Sequence, residues 1–232
     1  MPSRQVKGRV ILAALLFGVV ATPAAHAEIV LSQVIVDLQP GQLPREDVEI
    51  FNSGTERAYV LAEPAEIVDA GLDSQQRVTN ADPEKLGILV TPNRLILEPG
   101  QRRLLRVAMI GRRGDRERVY RITVKPVAGE LEDEKTALKI LLGYDMLVIA
   151  RPAAPNLDVT GTRDGSGLTL RNTGNTSVEL FDGQQCDADG RNCAELPAKR
   201  LYAGAAWRQD LSKSTPAEYS VKTGSKTVRR RF

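Results

Sequence analysis

The stretch TALKILLGYDMLVIARPAAP, residues 136–155, joins an unusually long predicted strand to a proline-rich break. From Leu138 to Ala150 the chain is rich in apolar and branched side chains, which is typical of a β-strand. Strands in globular domains most often have about five or six residues, so this one is long. Pro152 and Pro155 follow it, and prolines stiffen the chain and cannot donate to a sheet. We therefore predict that one domain ends here and another begins.

The rest of the chain shows short strands separated by turns, without a long helical period. The predicted strands before the long one are Ile29–Leu38, Val48–Phe51, Ala58–Ala62, Ile88–Thr91, Arg94–Leu97, Leu104–Ile110 and Arg118–Val124. This pattern favours antiparallel sheets packed as sandwiches. A turn sequence also recurs, as Asn52-Ser53-Gly54 and Asn172-Thr173-Gly174, and residues 97–101 and 196–199 form a second, weaker candidate repeat. We predict an all-β protein with two related sandwiches.

Residues 1–27 have the three-part layout of a secretory signal peptide. Three basic residues, Arg4, Lys7 and Arg9, precede an apolar run over residues 10–20, and Ala25-His26-Ala27 supplies the small-residue cleavage site. Removing this leader lowers the formal net charge from +3 to zero, which disfavours a nucleic-acid partner. It also removes His26, the only histidine. We therefore expect no histidine metal site and no Ser-His or Cys-His catalytic pair. We also expect no enzyme activity and no cofactor.

Two short motifs need separate interpretations. Cys186 and Cys193 flank a turn-rich stretch, and an exported protein meets an oxidising compartment, so we predict a disulfide between them. The same stretch, D-x-D-G-x-N, faintly resembles a calcium loop but lacks the downstream glutamate, which favours a plain turn. Lys222-Thr223-Gly224 matches one element of penicillin-interacting serine enzymes, but the companion S-x-x-K and S-D-N elements are absent. We predict a turn there too.

The long apolar strand itself has two interpretations. A long, apolar edge strand promotes aggregation, so such a strand is either fully buried in its own domain or serves to pair with another chain. Leu138, Ile140 and Leu142 share one face of it, because side chains alternate with a period of two. Taken alone, the residues favour the interpretation in which the strand is buried in its own domain.

Four motifs follow one another along the chain: Asn52-Ser53-Gly54, Leu97-Glu98-Pro99-Gly100 followed by Arg106, Asp115-Arg116-Glu117 leading into Tyr120-Arg121-Ile122, and the run ending Ile149-Ala150-Arg151-Pro152-Ala153. Their order resembles that of the periplasmic pilus chaperones of the chaperone-usher pathways, the PapD-like superfamily. In the second domain, residues 170–175 followed by the cysteine pair are most similar to the alternate, alpha-type branch of common-pilus and colonisation-factor fimbriae. The resemblance covers the whole chain after the leader.

The resemblance implies two Ig-like sandwiches in a boomerang arrangement and a function in strand donation. A pilin lacks one strand of its own sandwich, and the chaperone lends its edge strand until another subunit replaces it. Leu138, Ile140 and Leu142 stand where the family has the side chains that fill the pilin groove, while main-chain hydrogen bonds would supply affinity. Glu117 and Arg151 match a family pair that joins the two domains.

The family's usual anchor for the C-terminal carboxylate of the pilin is missing from this chain. The family uses an Arg on the first strand and a Lys on the last, and Gln33 and Leu147 stand at the corresponding places. We expect Arg121 to replace them, with Lys125 as a second candidate on the same strand face. For both residues, the alternative is a solvated charge on a sheet face.

From the residues and the resemblance together, we expect the following organisation of the chain. The domains are a signal peptide at 1–27, an Ig-like domain with the donor strand at 28–152 and a second Ig-like domain at 153–232. The partners are pilin subunits and an outer-membrane usher, the compartment is the periplasm, and the free chaperone either stays monomeric or caps its edge strand by dimerising. The rival hypothesis is an exported β-sandwich pilin or a carbohydrate-binding adhesin, which would share the export route and the strand pattern.

Overall fold

The computed structural model of the chain describes residues 29–127 and 142–232. The predicted signal peptide and the candidate donor residues Leu138 and Ile140 lie outside these ranges. The elements in the first half are β1 Ile29–Leu31, β2 Ile35–Leu38, β3 Arg45–Asn52, β4 Ala58–Val68, β5 Gln76–Val78, α1 Pro83–Leu86, β6 Ile88–Thr91, β7 Arg94–Leu97, β8 Arg102–Met109, β9 Arg118–Val127 and β10 Tyr144–Ala150. Those in the second half are β11 Val159–Asp164, β12 Gly167–Asn172, β13 Val178–Gln185, β14 Ala194–Leu196, β15 Lys199–Leu201, β16 Ala206–Asp210, β17 Glu218–Thr223 and β18 Lys226–Arg231.

Strands β1 to β10 form the first sandwich. One sheet has the order β1-β3-β8-β6, and the other has the order β2-β10-β9-β4, with β5 and β7 both pairing with β4. All these pairs are antiparallel except β2 with β10, which is parallel. The inward residues of both sheets form one apolar core, whose largest members include Tyr120, Ile50, Leu97, Leu105 and Met146.

Strands β11 to β18 form the second sandwich. Its sheets have the orders β11-β12-β16 and β14-β13-β17-β18, and β15 also pairs with β13. A separate apolar core lies between them, which includes Leu168, Leu170, Leu180 and Tyr219. The prediction of an all-β protein with two sandwiches is therefore confirmed. α1 is a single turn, capped by Asp82, whose Oδ1 accepts a hydrogen bond from Glu84 N.

The predicted first strand, Ile29–Leu38, is wrong in one respect, because it is two strands in two different sheets. β1 pairs with β3, and after the break at Ser32 the chain crosses to the other sheet, where β2 pairs with β10. Ser32 N donates to Glu49 O at 2.9 Å as the pairing with β3 ends. This crossing brings the first segment of the sandwich beside its last strand.

The repeated turn has the same hydrogen bonds in both sandwiches. Asn52 Nδ2 donates to Leu97 O at 3.0 Å, and its Oδ1 accepts from Gly54 N at 3.0 Å. Asn172 Nδ2 donates to Leu201 O at 2.9 Å, and its Oδ1 accepts from Gly174 N at 2.9 Å. Both amides are fully buried, so these bonds satisfy main-chain groups that water does not reach.

The second candidate repeat is correct in kind but wrong in place. In the first sandwich, Gly100 N donates to Asn52 O at 2.9 Å, and in the second Gly204 N donates to Asn172 O at the same distance. Both glycines have φ angles near the left-handed region, 75° and 82°. Residues 97–101 therefore correspond to residues 201–205, and not to 196–199. The prediction failed because the shared element is a glycine turn, while the sequence comparison matched a proline.

Candidate functional site

Strand β10 is paired along one edge and only partly along the other. β9 pairs with it from Tyr144 to Ala150, whereas β2 pairs with it only from Leu147 to Ala150. Among the described residues, no strand pairs with the second edge over 144–146. The first part of β10 is thus an edge strand, which can accept a strand from another chain.

The prediction of one strand from Leu138 to Ala150 is tested only in its second part. The described strand begins at Tyr144, so the prediction is wrong at Leu142 and Gly143, which are described but do not belong to a strand. Leu142 is 60% exposed. Met146, Val148 and Ala150 point into the core of the first sandwich, and Tyr144 packs against that core. Leu142 has the same parity along the chain as these four residues.

The opposite face of the same sheet carries the charged candidates. On β9, Val119, Arg121, Thr123 and Lys125 alternate with the buried residues of the core. Val119 is covered at one end of this face, where it packs with Leu147, Ile149 and Ala70 and with Tyr202 from the second sandwich. Arg121 is 35% exposed, and the face is open from Arg121 onward.

The two candidate anchors have different partners. Arg121 Nη1 donates to the main-chain oxygen of Asp145 at 3.0 Å, and its Nε lies 3.8 Å from the Asp145 carboxylate. Lys125 Nζ lies 2.6 Å from Glu63 Oε2, so its charge is already paired. Leu147 is buried, 5% exposed, and supplies no charge to this face. Arg121 is therefore the better placed of the two for an external carboxylate.

Sequence reasoning missed a third cation on this face. Arg77, on the short strand β5, donates from Nη2 to Asp145 Oδ1 at 2.9 Å and to Thr123 Oγ1 at 2.7 Å. β5 is exposed throughout and has only three residues, so no periodic pattern could identify it. Only the fold identifies Arg77 as part of this face, because the pairing of β5 with β4 brings it to the face that carries Arg121.

The junction between the sandwiches is centred on Arg151, whose side chain is 3% exposed. Its Nε and Nη2 donate to the two carboxylate oxygens of Asp37 at 2.8 and 2.9 Å. Its Nη1 donates to Ser177 O at 2.6 Å and Thr176 Oγ1 at 2.7 Å, both in the second sandwich. A bidentate arginine of this kind fixes geometry as well as charge.

Glu117 lies at the same junction, and its side chain is also 3% exposed. Its Oε2 accepts hydrogen bonds from Ser177 N at 2.5 Å and Thr176 Oγ1 at 2.9 Å and lies 3.4 Å from Arg151 Nη1. Its Oε1 has no hydrogen-bond partner among the described residues. The two predicted junction residues are thus within contact distance, and Asp37 is a third member that the sequence did not identify.

The cysteine loop and the K-T-G motif both lie in the second sandwich. Cys186 and Cys193 form a disulfide, as predicted. Inside the loop, the Asp187 carboxylate accepts from Asn192 Nδ2 at 2.8 Å and from Arg191 N at 2.7 Å, and these bonds hold its pKa below the usual value of 3.8. Lys222, Thr223 and Gly224 lie in and beside the β17–β18 hairpin.

Within residues 29–127 and 142–232, no group of three or more His, Cys, Asp and Glu side chains is arranged to hold a metal ion. In the same part of the chain, no helix is long and apolar enough to cross a membrane.

Solved structures of fimbrial chaperones share this fold. The chain matches the class 5 fimbriae chaperone CfaA with a TM-score of 0.67 and 18% identity, over 88% of this chain and 98% of CfaA. It matches the SafB chaperone, solved with the SafA pilin of Salmonella enterica, with a TM-score of 0.61 and 17% identity, over 89% and 97% of the two chains. It matches a chain of the CsuC-CsuE chaperone-tip adhesion subunit complex of Acinetobacter baumannii with a TM-score of 0.59 and 14% identity, over 88% and 98%.

At these identities, the likeness to solved structures shows the fold alone. No curated protein matches the chain. The family model described as "Pili and flagellar-assembly chaperone, PapD N-terminal domain" matches residues 28–156, which is more than half of the chain and includes both β10 and Arg151. The chain therefore belongs to the family of PapD-like pilus-assembly chaperones.

Proposed function

We propose that this protein binds pilin subunits in the periplasm by donating an edge strand, and that it delivers them to an outer-membrane usher. The proposal rests first on family membership. Two of the structural matches come from complexes whose names include a pilin or a tip adhesion subunit. We propose that the chain consists of a signal peptide at residues 1–27, a donor domain at 28–152 and a second domain at 153–232.

The observation that carries strand donation is the half-paired strand β10. Among the strands of residues 29–127 and 142–232, only β2 pairs with its second edge, and only from Leu147 onward, so we propose that another chain pairs with the edge before Leu147. Leu142, Ile140 and Leu138 continue, by parity, the apolar face that Met146 and Val148 begin. An added pilin would gain main-chain hydrogen bonds from this edge and would receive these side chains in its groove.

We propose that Arg121 anchors the C-terminal carboxylate of the pilin. Its guanidinium is partly exposed on an open sheet face, next to β10, and Lys125 is less available because Glu63 holds it at 2.6 Å. Burial of the ion pair under the pilin would exclude water and strengthen the interaction. The carboxylate would then fix the register between the pilin and the donated strand.

Two complete sandwiches favour this function over the rival one. A pilin or an adhesin domain of this class would be a single sandwich that needs a strand, whereas both sandwiches here enclose their own apolar cores. Strand β10 can be lent to another protein, and the first sandwich does not need a strand from another protein. Whether the free protein covers this edge by dimerising is tested by its mass in solution at several concentrations.

The test of strand donation uses two neighbouring substitutions. We expect Ile140→Asp to abolish co-purification of a pilin from periplasm, because it would bury an unpaired charge in an apolar groove at a cost of several kcal/mol. Leu141→Asp is the matched control, since it introduces the same charge on the opposite strand face. Circular dichroism confirms that both variants fold. Undiminished pilin capture by Ile140→Asp would refute strand donation.

A further inference from the structure

Asp145 lies between two arginines on the β9 face and is held by one of them. Arg77 reaches it with two nitrogens, Nη2 at 2.9 Å from Oδ1 and Nη1 at 3.4 Å from Oδ2. Thr123 Oγ1 lies 3.3 Å from the same Oδ1 and also accepts a hydrogen bond from Arg77. Arg121 Nε is farther from the carboxylate, at 3.8 Å, and Arg121 uses Nη1 to donate to the main chain of Asp145.

The charges of this cluster do not cancel. Arg77 and Arg121 supply two positive charges and Asp145 supplies one negative charge, while the neighbouring Lys125 is neutralised by Glu63 at 2.6 Å. The cluster therefore has a net charge of +1. Arg121 is the less well compensated of the two arginines, because its Nε lies 3.8 Å from the Asp145 carboxylate and Arg77 Nη2 lies 2.9 Å from it. One monovalent carboxylate would balance the net charge.

We infer that Arg77 is a positioning residue, which keeps Arg121 available for a carboxylate by holding Asp145. This inference rests on the proposed function of Arg121 as the anchor. The distance of 3.8 Å is short enough for Asp145 to turn to Arg121 by side-chain rotation alone once Arg77 is removed. Arg121 would then be neutralised internally and would lose its affinity for an external carboxylate, although Arg77 itself never contacts that ligand.

The ion pair between Arg77 and Asp145 is exposed to solvent. The side chains of Arg77 and Asp145 are 43% and 47% exposed, and ion pairs at such sites contribute little net stability. Replacing either residue should therefore leave the fold intact. Asp145 can pair with Arg77 or with Arg121. When it pairs with Arg77, Arg121 presents its positive charge to a ligand.

The experiment measures carboxylate binding by the mature, isotope-labelled protein at low ionic strength. The probe is N-acetylglycine, its neutral control is N-acetylglycinamide, and the signal is the Nε–Hε resonance of Arg121 in nuclear magnetic resonance spectra. In the wild type, we expect the acid to shift this resonance and the amide to leave it unchanged. Arg77→Ala should weaken binding of the acid by about twofold to fivefold, the range expected for exposed ion pairs.

The decisive variant is the double substitution Arg77→Ala with Asp145→Asn. It should restore wild-type binding, because Asn cannot form an ion pair with Arg121, and Asp145→Asn alone should bind the acid more tightly than the wild type. A merely structural role of Arg77 would not be rescued in this way. If Arg77→Ala binds the acid as well as the wild type does, or if the double variant does not recover wild-type binding, the inference about Arg77 is wrong. The proposed role of Arg121 as the anchor would be unaffected by either result. If N-acetylglycine does not shift the Arg121 resonance of the wild type, Arg121 is not the anchor, and the inference about Arg77 fails with it.

Discussion

Arg151 Nη1 lies 3.4 Å from Glu117 Oε2, and both side chains are only 3% exposed. The pair therefore belongs to the interior of the molecule. Asp37 supplies a second carboxylate, and Thr176 and Ser177 supply oxygens from the other sandwich. Forming such a network from solvated groups yields little net free energy, but removing one member leaves a buried charge without its partner.

The first prediction concerns this junction. Arg151→Ala should lower the free energy of unfolding by about 3 to 5 kcal/mol, because Glu117 and Asp37 lose their buried counter-charge. Urea unfolding of the mature protein measures the change. Arg116→Ala is the control, since Arg116 makes an exposed hydrogen bond to Ala203 O at 3.1 Å across the same junction. A loss below about 1 kcal/mol for Arg151→Ala, the range of exposed pairs, would contradict the prediction.

The second prediction concerns the proposed carboxylate anchor, Arg121. Arg121→Ala should weaken binding of the co-purified pilin by about 2 to 5 kcal/mol, as expected when one partner of a desolvated charge pair is removed. Lys125→Ala should have a smaller effect, because Glu63 already pairs with Lys125. Competition between wild-type and variant chaperones for one labelled pilin measures both. If the order of the two effects is reversed, Lys125 is the anchor.

The third prediction concerns the buried amides of the repeated turn. Asn172→Ala should destabilise the second sandwich, and Asn52→Ala the first, by about 1 to 3 kcal/mol each, because buried carbonyl oxygens lose their donors. Hydrogen exchange resolved by segment shows which sandwich opens. Asn80→Ala, at an exposed turn, should change neither. Equal loss of protection in both sandwiches from either single substitution would contradict independent stabilisation.

The fourth prediction concerns pH and the cysteine loop. Hydrogen bonds from Asn192 and Arg191 hold the pKa of Asp187 below 3.8, the value of the free side chain. A group with a lowered pKa contributes stability above its unfolded value and loses that contribution as the pH falls through its folded value. The loop should therefore keep its geometry down to pH 3.8 and loosen only below it. The pH dependence of the Asn192 side-chain amide resonances checks this, and loosening already at pH 5 would contradict it.

Much of the fold was predictable because short-range alternation determines where strands lie. The predicted strands Ile88–Thr91 and Arg94–Leu97 coincide with β6 and β7. The division of residues 29–38 into two strands was not predictable, because alternation continues while the chain changes its partner sheet. The correspondence between Leu97 and Leu201 was also missed, because it depends on which carbonyl oxygen accepts the hydrogen bond from the buried asparagine amide.

The candidate site was predictable only where residues follow one another on a strand. Arg121 and Lys125 share a face of β9, and the period of two indicates this directly. Arg77 and Asp145 come from strands far away in sequence, and their contact depends on the pairing of β4 with β5 and of β9 with β10. Asp37 was missed at the junction for the same reason, because the parallel pairing of β2 with β10 brings it beside Arg151.

The placement of Arg151 also affects the order of folding events. Strands β1 to β10 are complete within residues 29–150, so the first sandwich can close before the second has formed. The second sandwich needs the segment around Phe232, since Phe232 N donates to Ala217 O at 2.9 Å and Ala217 N donates back to Phe232 O. Until then, Arg151 has only its partners within the first sandwich. We expect the docking of the two halves to be the last step of maturation, after each half has formed its own core.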